Sequence, residues 1–143
     1  MSALLASHLP TDTSLFARIA DDIYQQGFSV QEYALPESLA NGLWEYNRAM
    51  SEKQFQQAGI GRKDAFQEND FVRRDEICWI DGTSEAGADW LHWTSEMKTF
   101  LNRRLLLGFF SFESHFAMYQ EGAFYKRHLD AFKGQANRVL SLV

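Results

Sequence analysis

An α+β fold, rich in helix early and in strand late, is what this sequence predicts, and three observations predict it. Apolar residues recur at helical spacing in two stretches before residue 50 and again over a long run from Ser84 to Leu107. After Gly108 the period changes to two, as it does when a chain passes into strands. The 143 residues, 45% hydrophobic and 15% aromatic, suit a single domain with its own core, since one domain takes roughly 100–200 residues.

The elements follow in order. Thr13 or Ser14 can cap a first helix with Leu15, Ile19 and Ile23 on its apolar face and Phe16, Ala20 and Tyr24 beside them. Gly27 ends it, as a C-terminal glycine commonly does. A short strand is expected from Phe28 to Tyr33, and Pro36 then opens a second helix carrying Leu39, Leu43, Tyr46, Asn47 and Met50. Ser51 to Asp70 is polar and contains Gly59-Ile60-Gly61, so it reads as a long surface loop. A strand from Phe71 to Ile80 closes at the turn pair Asp81-Gly82. The helix from Ser84 carries Trp90, Trp93, Met97, Phe100, Leu101 and Leu105 on a broad apolar face. In the strand beyond Gly108, Phe110, Phe112, Ser114, Phe116 and Met118 share one face, and Ser111, Glu113, His115, Ala117 and Tyr119 the other. A loop at 120–123 leads to a second extended segment, Phe124 to Phe132. Lys133-Gly134-Gln135 turns the chain into an apolar strand, Arg138 to Val143. An apolar strand ending without a turn, in a sheet with too few strands to close, reads as the front portion of a larger β-structure. Its open edge is a template for self-association.

Composition removes several function classes. Nineteen acidic against fourteen basic residues give a net charge of -5, which argues against binding nucleic acid by neutralising phosphates. The single cysteine, Cys78, excludes an internal disulfide and any two-cysteine zinc site. No apolar run approaches the ~18 residues of a membrane span. The first residues lack the basic start of a signal peptide, so the expected location is the cytoplasm.

The chemistry-bearing segment is Tyr119-Gln120-Glu121-Gly122-Ala123-Phe124-Tyr125-Lys126-Arg127-His128-Leu129-Asp130. In a strand, positions i and i+2 point the same way, so His128 and Asp130 project together. An imidazole beside a carboxylate is two-thirds of the facial triad that holds non-haem Fe(II) while leaving positions open. H-x-D alone is a weak signal, and its bland alternative is a surface histidine paired with an aspartate.

The wider pattern Y-x-x-G-x-x-Y-x-x-H-x-D resembles the metal-binding segment of the 2-oxoglutarate- and Fe(II)-dependent prolyl 4-hydroxylases. Upstream, Phe71-Val72-Arg73-Arg74-Asp75-Glu76-Ile77-Cys78-Trp79-Ile80-Asp81-Gly82 is similar to the R-x-D-x-x-x-W-I strand of the oxygen-sensing members and their bacterial relatives. The resemblance runs from about Gly59 to Val143. It implies supporting helices on a double-stranded β-helix, the jelly roll, here as one domain over residues 1–143 that lacks its C-terminal strands. It also implies Fe(II), 2-oxoglutarate as cosubstrate, O2, ascorbate as a further ligand, and a protein or peptide substrate containing proline. His128 and Asp130 match the family's metal ligands, Tyr119 a tyrosine that contacts the cosubstrate, and Arg138 an arginine near the substrate entrance. Arg73 and Asp75 match a charged pair on a loop that closes over the target proline, although Arg74 stands where glycine is frequent. Gly122 would supply the bend before the metal segment.

Two family parts have no counterpart. No histidine follows His128, and no basic residue follows Arg138 to pair with the distal carboxylate of 2-oxoglutarate. His115 is a remote candidate for the third ligand, a core or surface histidine being the better reading. The alternatives to a hydroxylase portion are a non-catalytic remnant or protein-binding module and, further off, a cupin-like metal protein. Gly59-Ile60-Gly61-Arg62-Lys63 lacks phosphate-loop spacing. Cys78 reads as a small core residue, Arg103-Arg104 and Lys126-Arg127 as solvated cations, and Trp90 and Trp93 as helix packing.

Overall fold

The structure is a computed structural model that describes residues 13–51, 54–57, 75–128 and 139–143. These residues form helices α1 (Thr13–Gln26), α2 (Glu37–Ala49) and α3 (Glu85–Leu105) and strands β1 (Gln56–Gln57), β2 (Glu76–Trp79) and β3 (His115–Met118). The helix ends carry the local chemistry that the sequence announces. Gly27 ends α1 at φ +83° with its N–H on the Ile23 carbonyl at 3.0 Å. Pro36 stands at the N-cap of α2, where its missing N–H costs nothing. The Ser84 hydroxyl caps α3 by accepting the Gly87 N–H at 3.0 Å.

The core lies where α1 and α2 both pack on α3. Leu15, Phe16 and Ala20 of α1 and Leu39 of α2 meet Trp93, Met97 and Leu101, which lie four apart along one face of α3. Phe16 is the hub, edge-on to Trp93 at 5.3 Å and tilted against Phe100 at 5.9 Å. Trp90 stacks on Trp93 at 5.6 Å, so both tryptophans serve packing. The buried face of α1 is turned from the expected one: Ile19 packs only at the border of the core and Tyr24 is exposed. Arg104 of α3 reaches Asp21 of α1 at 3.1 Å. Asn102 then fixes the exit from α3, donating to the Phe109 carbonyl at 2.6 Å and accepting the Phe109 N–H at 2.7 Å.

β1, β2 and β3 form an antiparallel sheet in that order. Its central register pairs Glu76 with Met118, Ile77 with Ala117, Cys78 with Phe116 and Trp79 with His115. Phe116 packs edge-on against Tyr46 of α2 at 5.6 Å, which seats the helices on the Phe116 and Met118 side. His115 and Ala117 lie on the open side.

Several strand expectations are corrected. Residues 28–33 form no strand: Ser29 and Gln31 instead donate to Asp22 of α1 at 2.7 and 2.9 Å, and Tyr33 turns the chain at φ +54°. The supposed loop after Ser51 contains β1, because a ladder needs only backbone groups and polar glutamines supply them. The strand expected from Phe71 pairs over Glu76–Trp79; residues 71–74 lie outside the described part. The expected run from Phe110 pairs only over His115–Met118, the four residues opposite β2, and Phe110 is left exposed. Residues 126–128 and 139–143 carry no strand, and residues 129–138 lie outside the described part.

Candidate active site

Two hairpin partners and one turn position the candidate residues. Asp75 and Tyr119 lie one step beyond the Glu76–Met118 pair, at the end of the ladder away from Trp79 and His115. Asp75 is wholly buried, the only charged side chain so enclosed among the described residues. Burying a carboxylate alone would be prohibitive, and Asp75 does have an interaction partner. Tyr119 is 49% exposed. After it the chain reverses: Gln120 accepts the Ala123 N–H at 2.8 Å and Gly122 adopts φ +79°. That is the bend expected of Gly122, at a backbone angle that L side chains resist.

The turn delivers Phe124 to His128. Lys126 lies over the Phe124 ring at 5.6 Å. The His128 imidazole stacks on Tyr125 with ring centroids 3.7 Å apart and planes 16° from parallel, and its Nδ1 sits 2.7 Å from the Lys126 carbonyl oxygen. In an extended strand, residues three apart lie ~10 Å from one another on opposite faces. The chain is therefore bent between Tyr125 and His128; the expected pairing of His128 with Asp130 lies outside the described residues. A carbonyl oxygen only accepts, so Nδ1 donates; in the neutral ring the lone pair is then on Nε2. This is the arrangement a metal-binding histidine uses, its second nitrogen tied to a carbonyl that sets tautomer and orientation.

Asp130, Arg73 and Arg138 lie outside the described residues. Among the described residues no group of three or more His, Cys, Asp or Glu side chains could hold a metal ion. The donor chemistry at His128 nonetheless fits a metal. His115 is exposed, paired across the ladder with Trp79 and edge-on to its ring at 5.2 Å. Cys78 is half-buried within β2. Sequence reasoning missed the Tyr125–His128 stack; its one signal was the Y-x-x-H spacing, which a strand would not have closed.

No family model and no curated protein matches the chain. Among solved structures, the crystal structure of a Pseudomonas putida prolyl-4-hydroxylase matches with a TM-score of 0.71 and 36% sequence identity, over 81% of this chain. The match spans 61% of that protein's length. Helices, antiparallel sheet and sequence thus agree with the motif, and the chain resembles the prolyl 4-hydroxylases in sequence and in fold.

Proposed function

We propose that this chain is part of an Fe(II)- and 2-oxoglutarate-dependent dioxygenase that hydroxylates prolyl residues of a protein substrate. In that reading its sheet belongs to a double-stranded β-helix and its place of work is the cytoplasm. The observation that carries the reading is the 36% identity to the Pseudomonas putida prolyl-4-hydroxylase over 81% of the chain. The His128 geometry supports it from a separate direction, because the imidazole is tied through Nδ1 as a metal ligand would be.

His128, through Nε2, and Asp130 would hold the Fe(II). When bound, the ion and 2-oxoglutarate supply O2 activation coupled to release of succinate and CO2, and ascorbate keeps such iron reduced. The chain's own residues bind and orient. Tyr119, half-exposed beside the turn, donates its hydroxyl to the cosubstrate. Arg73 and Arg138 meet the protein substrate. Asp75, wholly buried, serves that region by holding neighbouring groups in place rather than by touching substrate. Water exclusion and substrate choice fall to the protein, and the oxidation to the metal.

The 143 residues hold no histidine after His128 and no Lys or Arg after Arg138. The isolated chain is therefore expected to bind Mn(II), a redox-inert stand-in, more weakly than about 1 μM and to form no succinate from 2-oxoglutarate, since ligand count and geometry set such sites. A version extended downstream by a histidine and a basic residue in family spacing should form succinate and lose it on Asp130→Ala. Succinate from the isolated chain above a heat-killed control, sensitive to Asp130→Ala, would show a third ligand within these residues. An extended protein that binds no metal would overturn the proposal.

A further inference from the structure

His128 is exposed, and an exposed imidazole samples several rotamers and both neutral tautomers unless something holds it. Here two contacts act on different freedoms. The Tyr125 ring, 3.7 Å away and 16° from parallel, fixes the plane in which the imidazole lies. The Lys126 carbonyl, 2.7 Å from Nδ1, fixes its rotation within that plane and its tautomer. The pair is also asymmetric. Tyr125 is half-buried and carries a backbone bridge of its own, whereas His128 is exposed.

The geometry points to Tyr125 as a positioning residue: its ring, stacked on His128, keeps Nδ1 on the Lys126 carbonyl and so leaves Nε2 as the nitrogen that can bind a metal. The metal half of this rests on His128 being a ligand, as proposed above; the orientation of the ring does not. Stacking uses the face of the ring and not the phenolic hydroxyl, so phenylalanine should do the same work and an aliphatic residue should not.

The test reads the imidazole directly in the metal-free protein. Long-range 15N–1H correlation spectra at about pH 8.5, where an ordinary imidazole is neutral, should show His128 in the Nδ1–H form in the wild type and in Tyr125→Phe. In Tyr125→Leu they should show the mixed tautomers of an unconstrained histidine. Calorimetric Mn(II) affinity of the extended version should fall about tenfold or more in Tyr125→Leu, the loss usual when a ligand's supporting contact is removed, and stay near wild type in Tyr125→Phe. A His128 that keeps its Nδ1–H form in Tyr125→Leu, with the same thermal melt as wild type, overturns the assignment. Mn(II) affinity unchanged by His128→Ala would instead overturn the ligand reading, while the tautomer spectra still decide whether Tyr125 orients the ring.

Discussion

Leu106 follows α3 at φ +54° and ψ +37°, with its side chain exposed. The left-handed region costs an L-residue roughly 1–2 kcal/mol, and nothing buried here requires leucine. Leu106→Gly should therefore stabilise the protein by about 0.5–1 kcal/mol once glycine's greater freedom in the unfolded chain is deducted. The melting temperature should rise by about 2–5 °C in a calorimetric scan. A second single-residue effect is electrostatic. The Thr83 N–H, 3.0 Å from the Asp81 carboxylate, holds that carboxyl below its ordinary value of 3.8. Its unfolded form thus takes up a proton at higher pH than the folded form does. The contribution is present above pH 3.8 and disappears as pH falls through the lowered folded value. Urea titrations should find Asp81→Ala less stable than wild type near neutrality, with the gap closing in acid. A gap independent of pH would contradict the assignment.

At the scale of one element, the start of α3 shows a conflict between helix propensity and capping. An alanine in place of a helical glycine ordinarily gains about 1 kcal/mol. At Gly87 the added Cβ would stand 2.9 Å from the Ser84 hydroxyl oxygen and 3.3 Å from Ile80 Cγ2. The hydroxyl that must give way is the cap itself. Ser84→Ala should cost about 1 kcal/mol through the lost cap. Gly87→Ala should show none of the usual gain in the wild type, yet recover part of it in the Ser84→Ala background, where the obstructing oxygen is gone. Thermal melts of the four proteins in this cycle check the coupling; strict additivity would mean that the cap and Cβ do not meet.

For the molecule as a whole, the helical core is well enclosed while much apolar surface remains outside it. Val139, Leu140, Leu142 and Val143 are exposed, as are Trp44 and Phe110. Four exposed apolar side chains within the five residues 139–143 favour association. The 143-residue chain is expected to elute in size-exclusion chromatography with light scattering at a mass above that of one chain. Leu140→Lys with Leu142→Lys should shift it toward the monomer. A wild-type monomer at all concentrations would show that these side chains do not drive association.

The three helices and their ends were legible before any tertiary contact was known. Gly27, Pro36 and Ser84 act within one helical turn, and a helix bonds to itself. The Y-x-x-G-x-x-Y-x-x-H-x-D pattern likewise lay in a single stretch and carried the resemblance. Strands were a different matter, since a ladder is completed by residues elsewhere in the chain. Phe28 to Tyr33 has the composition of a strand and found side chains of α1 instead, while Gln56 and Gln57 lack that composition and pair with β2. Burial of Asp75 and the stack of Tyr125 on His128 belong to the same class. Helices and the available chemistry follow from residues a few positions apart in the chain; which backbone groups pair and how His128 is aimed depend on partners brought near only when the chain folds.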